Sequence, residues 1–262
     1  MNKQHDLEIF FDQKTNEAEY FKDYFSNIKN INELDTSNFS EHSSQISTDW
    51  IYIYQDRIVF DWLVTNKACF LDSSRLLDVG SRLSSVLFFA KFIDTTYLEP
   101  RIAGSEDGGS LFFPRLNITF LPGEAQRIPV ADKSFDIVTS LHAIEHFGLG
   151  RYGDNIDYFG DQKGFKEFNR VLIDKGKLFI SVPVNKDPTI QFNGQRIYSP
   201  EIINDMLKEA GFEILTHVFI LALGTLRSTD GSIIEPITRD INELNCLSID
   251  QQAAYVVLAQ KI

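Results

Sequence analysis

The residues with the clearest capacity for chemistry lie in one short stretch, SLHAIEHFGLGRYGD, at positions 140–154. It opens as an apolar run and closes as a glycine-rich polar loop. Between the two stand His142, Glu145 and His146. Three readings are open. An imidazole titrates near neutrality, so either histidine suits a general base acting on a weakly acidic hydroxyl. A divalent ion held by His146 with Asp154, Asp157 or Asp161 would acidify such a hydroxyl directly. His142 and His146 stand four apart, but at the end of an expected strand rather than on a helix, so a metal is allowed but not favoured. In the third reading the group is structural: Glu145 caps a following helix and the histidines hold a loop.

Such side chains need a scaffold, and the pattern from residue 74 onward implies one. RLLDVG reads as a buried strand and SSVLFFAKFI as a helix. TTYLEP, LNITFLPGEA and SFDIVTSLHA follow as strands, the last running straight into the histidines. DQKGFKEFNRVLIDKG is an amphipathic helix with Phe165, Phe168, Val171 and Leu172 at helical spacing and Gly176 as its stop. KLFISVPV is a strand. SPEIINDMLKEAG is a helix that Ser199 caps, Pro200 begins and Gly211 closes. FEILTHVFI and AAYVVLAQKI are the last strands. Alternation of this kind predicts an α/β fold with a mainly parallel sheet covered on both faces.

Residues 1–70 read differently. They contain 6 Lys and Arg against 12 Asp and Glu, hence −6 of the formal −12, and no glycine or proline. Residues 16–34 have the periodicity of an amphipathic helix, and 35–48 the composition of a loop. The segment is expected to be a helical extension or lid, with residues 71–262 as the main domain. Its aromatics either pack that extension or wall a pocket.

Composition narrows the function classes. At 262 residues and 43% hydrophobic, the chain can bury a sizeable core. A pI near 4.8 argues against non-specific nucleic-acid binding, which needs clustered cations. Cys69 and Cys246 form no CxxC, so a reducing cytoplasm is expected. The start, MNKQHDLEIFFDQK, lacks the layout of a signal peptide, and no apolar run reaches the ~20 residues of a membrane span.

In RLLDVGS a buried strand runs into Asp78 and then Gly80, where a ligand can approach the backbone. A dinucleotide fold would carry G-x-G-x-x-G here, and this chain reads G-S-R-L-S-S. Nineteen residues after Gly80, Glu99 ends the next strand. An acid at that place accepts hydrogen bonds from ribose hydroxyls.

With these residues in order, the chain resembles the class I S-adenosylmethionine-dependent methyltransferases over roughly residues 74–220, and again in AAYVVLAQKI. LLDVGS stands at the first motif. Glu124 and Ala125, in GEAQRIPV, stand where that family has Asp-Ala against the adenine. FDIVTSLHAIEH matches the fourth strand with its Glu-His ending. The loop GLGRYGDNIDYFGD resembles a bacterial methyltransferase-like family of undefined activity associated with surface-polysaccharide synthesis.

The resemblance implies a Rossmann-like seven-stranded sheet, mostly parallel with the last strand antiparallel. It implies S-adenosyl-L-methionine as cofactor, held by Asp78, Gly80, Ser81, Glu99, Glu124, Ala125 and Leu141. It implies O-methylation of a sugar, nucleotide-sugar or polysaccharide precursor, with His146 as the preferred base and His142 and Glu145 beside it. Residues 148–164, with five glycines, would border the acceptor. Arg151 would pair with an acceptor anion, Tyr152 would stack on a sugar ring, and Asp154 would join them. Arg196 and Tyr198, in GQRIYSP, form a further rim. A homodimer is compatible with this. The rivals are a methyltransferase-fold cofactor-binding or scaffold protein without catalysis, an N-methyltransferase, and a nucleotide-sugar oxidoreductase. The last needs a Tyr-x-x-x-Lys base that the chain lacks.

Overall fold

The computed structural model describes residues 8–10, 12–13, 27–30, 46–65, 74–100, 111–113, 115–151, 154–192, 194–221, 236–246 and 253–262. The central sheet uses β2 (Arg75–Val79), β3 (Asp94–Leu98), β4 (Leu111–Phe113), β5 (Ile118–Leu121), β6 (Phe135–Leu141), β7 (Leu172–Val184), β10 (Phe212–Leu221), β11 (Ile237–Thr238) and β12 (Ala253–Lys261). Their order is β11-β10-β12-β7-β6-β2-β3-β5-β4. The five from β5 to β7 are parallel, and β12 is inserted antiparallel between β7 and β10. The seven expected strands are therefore present, and β4 and β11 extend the two edges. The chain starts in the middle, winds outward through β3 and β5, then crosses back to β6. The crevice between β2 and β6 is the topological switch point, where ligands meet the carboxyl ends of the strands.

Side-chain alternation sends each strand into two cores. Leu77 and Val79, Val138, and Leu178, Ile180 and Val182 face the helices α3 (Gly160–Val171) and α4 (Pro200–Glu209). Leu76, Ile137, Leu141 and Phe179 face α1 (Ile46–Thr65) and α2 (Leu83–Phe89). Helix α1 contributes Ile51, Ile58, Val59 and Leu63 to that core. Among the described residues no helix is long and apolar enough to cross a membrane.

Three expectations are corrected. Asn27–Asn30, expected within a helix, is a strand, β1, paired in parallel with β8 (Thr189–Phe192); β9 (Gln195–Ile197) completes a second, three-stranded sheet. The open edge of the β8–β9 hairpin takes β1 as a partner, and that pairing overrides local propensity. The rest of 16–34 and residues 35–45 lie outside the described residues, while 46–48 already belong to α1. Helix α3 stops at Val171 rather than Gly176. The amides of Lys133 and Ser134 bond the carbonyls of Arg170 and Val171, and Leu172 turns extended to pair with Phe135. Gly176 sits instead in a bulge of β7, where a Cβ would approach Ile173 O to 2.9 Å. Helix α4 follows its signals: Ser199 Oγ accepts from Ile202 N, and Gly211 takes φ +84°.

Candidate active site

A cleft opens over the carboxyl ends of β2, β3 and β6. Its floor is Gly80, in the left-handed region at φ +74°, where a side chain would put Cβ 3.1 Å from that of Ala143. This glycine is needed both for conformation and for clearance. Three of the expected cofactor residues build the floor from behind. Asp78 is fully buried and accepts from Ser81 N (3.0 Å) and Thr139 Oγ1 (2.6 Å). Ser81 Oγ accepts from Leu141 N at 2.9 Å, and Tyr97 Oη donates to Ser81 O at 3.0 Å. Asp78, Ser81 and Leu141 shape the Gly80 turn from behind, and none of the three is among the residues that line the cleft. Burial lifts the Asp78 carboxyl to about 7, against the hydrogen bonds from Thr139 and Ser81. Both bonds are donated to the carboxyl oxygens and offset part of that burial cost.

Glu99, Glu124 and Ala125 do line the cleft. Glu99 Oε2 lies 3.2 Å from Tyr97 Oη and competes with Ser81 O for its one proton. The turn carrying Glu124 is held by residues that sequence reasoning missed. Arg170 on α3 donates to Val130 O and Ile128 O, and Glu167 Oε2 accepts from Ile128 N. Their three-residue spacing on one helix face was the available signal.

At the other end stand the histidines. His142 lines the cleft with its backbone at φ +51°, a strained conformation of the kind that clusters at functional sites. Its amide donates to Ser181 O, and its ring meets Tyr52 of α1 edge-on at 5.3 Å. Its Nδ1 is 3.2 Å from Glu145 Oε1, while Nε2 is buried with no hydrogen-bond partner among the described residues.

His146 also lines the cleft, with Nδ1 2.7 Å from Gly194 O. A carbonyl only accepts, so Nδ1 carries the proton and the neutral ring has its lone pair on Nε2. That nitrogen is 3.8 Å from Glu145 Oε1. Burial holds the His146 pKa below its ordinary value, against the attraction of Glu145. Glu145 is buried behind both rings; desolvation pushes its pKa up, but the pull of His146 and His142 outweighs this and keeps it lowered. The result is a neutral imidazole on a cleft with an ionised carboxylate close by.

Asp154 lines the cleft, and its Oδ2 accepts from Gly148 N and Gly150 N. Arg151 turns to the hairpin, donating to Gly194 O at 3.2 Å. Tyr152 lies outside the described residues. The rim role expected for Arg196 and Tyr198 is corrected, because both are wholly buried. Arg196 donates to Phe147 O (2.6 Å) and Tyr158 O (2.8 Å), and Tyr198 Oη donates to Asp161 Oδ2 (3.0 Å). Among the described residues no group of three or more His, Cys, Asp and Glu is placed to hold a metal.

A family described as "Caenorhabditis protein of unknown function, DUF268" matches residues 121–220. No curated protein matches the chain. Among solved structures the chain is similar to the 4+2 cyclase SpnF, at 17% identity over 79% of this chain and 81% of that one, with a TM-score of 0.53. It is similar to a proposed sarcosine dimethylglycine methyltransferase from Galdieria sulphuraria, at 16% identity over 80% and 86%, with a TM-score of 0.52. It is also similar to the MccD protein, at 13% identity over 80% and 96%, with a TM-score of 0.50. The fold is that of the S-adenosylmethionine-dependent methyltransferases. A protein named as a cyclase and one named as a methyltransferase share it, so the reaction must be argued from the site.

Proposed function

We propose that this chain transfers the methyl group of S-adenosylmethionine to a hydroxyl of a small uncharged acceptor, a sugar or sugar derivative, with His146 taking the hydroxyl proton. The observation that carries this reading is the bond from His146 Nδ1 to Gly194 O, which leaves Nε2 as the basic nitrogen of a ring that lines the same cleft as Gly80 and Glu99. The residues present fit the cofactor. Gly80 leaves the space that a Cβ would fill, Glu99 offers a carboxylate to ribose hydroxyls, and Glu124 and Ala125 would flank the adenine. Bound there, the cofactor supplies a methyl group already activated on a sulfonium.

The protein's share is then alignment and proton removal. His146 Nε2 would take the proton of the acceptor hydroxyl as the methyl group passes from sulfur to oxygen, the C–S electron pair leaving with the thioether product. Nδ1–H stays on Gly194 O throughout, so the ring does not rotate. The resulting imidazolium is stabilised by the Glu145 carboxylate. His142, donating from Nδ1 to that same carboxylate, helps hold it.

The charge of the cleft bears on the acceptor. Glu99, Glu124 and Asp154 line it, and its described lining contains no lysine or arginine. Such a lining favours a cationic cofactor and a neutral polyol over an acceptor bearing a diphosphate, which would meet like charge. For this reason we favour a free or glycosidic sugar over a nucleotide-linked one.

Calorimetric titration with S-adenosylhomocysteine, followed by transfer assays on sugar acceptors, tests the proposal. Binding that is lost in Glu99→Ala supports it, and a folded protein that binds neither cofactor nor product overturns it. The likeness to a cyclase motivates one second reading, a fold that binds the cofactor without transferring its methyl group. That reading gains if binding is found and no acceptor class is methylated.

A further inference from the structure

We infer that Arg196 is a positioning residue for His146: from inside the fold it locks the β8–β9 hairpin to Phe147 and Tyr158 and so fixes the proton of His146 on Nδ1. This rests on the reading of His146 as the base, and it gives a purpose to a buried charge that the reaction does not otherwise use.

The hairpin reaches His146 twice. At its turn, Gly194 O accepts from His146 Nδ1 and also from Arg151 Nη1. Two residues on, the fully buried Arg196 donates from Nη1 to Phe147 O, the carbonyl directly after His146. Its Nη2 donates to Tyr158 O at 2.8 Å and is 3.4 Å from Asp157 O. One planar guanidinium thus clamps both ends of the loop that follows the base, a task suited to its forked donors and not to an ammonium. Asp161 balances the charge, with Oδ2 3.4 Å from Arg196 Nε and accepting from Tyr198 Oη.

The packing around the clamp leaves the loop little slack. Gly148 and Gly160 meet the opposite strand of the loop so closely that a Cβ would come within 2.0 Å of Asp157 O and 2.7 Å of Phe147 O, respectively. The hairpin is braced from outside as well. Strand β1 pairs along β8, and Phe10 packs its ring 5.0 Å from both Tyr158 and Phe192. Gln13 bonds the amide of Tyr158 and the carbonyl of Ile156. The N-terminal segment therefore bears on the same two pieces of chain that Arg196 joins.

A residue that only stabilises the fold would lower the melting temperature without choosing a tautomer. The discriminating readout is the protonation state of His146, read by nitrogen-15 NMR of the full chain labelled at its 5 histidines and assigned by single substitutions. In the wild-type protein the expected state is protonated Nδ1 and bare Nε2. Finding the proton on Nε2 overturns the inference without any variant. In Arg196→Lys the His146 signal is expected to become a mixture of tautomers, with its titration moving toward the ordinary histidine range. His217, on β10 beside Phe219 and Tyr255, is expected not to move and reports that the fold persists.

If Arg196→Lys does not fold, Tyr198→Phe keeps the ring and removes only the bond to Asp161, and a partial change of the same kind is expected. A folded variant in which His146 keeps its tautomer and titration refutes the role. These spectra need no acceptor, so a failure here is separate from a failure to find methyl transfer. With an acceptor in hand, kcat should fall on the order of 100-fold in Arg196→Lys, with cofactor affinity unchanged.

Discussion

The two ends of the cleft are made by different means. The end formed by Gly80, Glu99 and Glu124 is a strand edge. Its geometry comes from adjacent parallel strands, one left-handed glycine and bonds such as Ser81 N to Asp78, three residues apart. The end formed by His146 stands on a single 3-10 turn, Ile144–His146, beyond the end of β6. It is assembled by hydrogen bonds between residues 38 to 49 positions apart, joining the hairpin to the chain after β6. A parallel sheet thus arrives with half a ligand site already shaped, and the second half needs tertiary polar contacts of its own. Damage to one end should therefore spare the other.

The largest expected effect is that of His146→Gln. Loss of a general base lowers kcat by roughly 10²–10⁴-fold, while S-adenosylhomocysteine affinity stays at the wild-type level. The pH profile supplies the sign. The His146 pKa is lowered from 6.5 by burial, so kcat/KM should rise through a pKa below that value and be flat above it. Folding favours the neutral ring. Its contribution to stability is accordingly present above 6.5 and is lost as pH falls through the lower folded value. The acid limb should vanish in the variant; a limb that persists unchanged removes His146 from the role.

Gly148→Ala attacks the same end through the backbone. Its φ is +74°, and the new Cβ would lie 2.0 Å from Asp157 O. Relieving that clash must open the loop, at a cost on the order of 3 kcal/mol in urea denaturation. Turnover should fall with it, and calorimetry should still show product binding. Equal loss at both ends would break the comparison, because it would make the loop part of the cofactor floor.

This division also explains what was legible beforehand. Strand-to-glycine turns and caps are written in neighbouring residues, so the parallel order, Gly80, Glu99 and the Ser199 cap could all be read from local pattern. Arg196 and Tyr198 were misread because residue type suggested a polar rim, whereas only tertiary structure shows that both are buried, Arg196 against the carbonyls of Phe147 and Tyr158 and Tyr198 against Asp161 of α3. Strand β1 was read as helix for a related reason: its partner, β8, is some 160 residues away. Asp78 lies between these cases. Its place was evident, and its role was not, since a carboxylate pointing at a ligand and one bonded to Thr139 carry the same letter.

Glu99→Ala tests the first end by itself. A hydrogen bond to an ionised acceptor contributes about 1.5–3 kcal/mol, so cofactor affinity should fall by roughly 10- to 100-fold. The His146 tautomer should be untouched. A change in the His146 signal would mean that the two ends communicate through the cleft, and the separation would then hold only for the architecture.

The smallest effect sharpens the comparison by belonging to neither end. Ser199 Oγ accepts from Ile202 N at 3.4 Å at the start of α4, two residues beyond β9. Ser199→Ala removes that cap, at a cost of about 1 kcal/mol. Its neighbour Tyr198 reaches Asp161 through a side chain pointing into the core, while Ser199 turns to its own helix. If long-range polar contacts hold the acceptor end, losing this local bond should lower stability and leave both product affinity and the His146 tautomer as they were. If instead the tautomer shifts, then helix α4 is part of the clamp, and the hairpin is set from its carboxyl side as much as by Arg196.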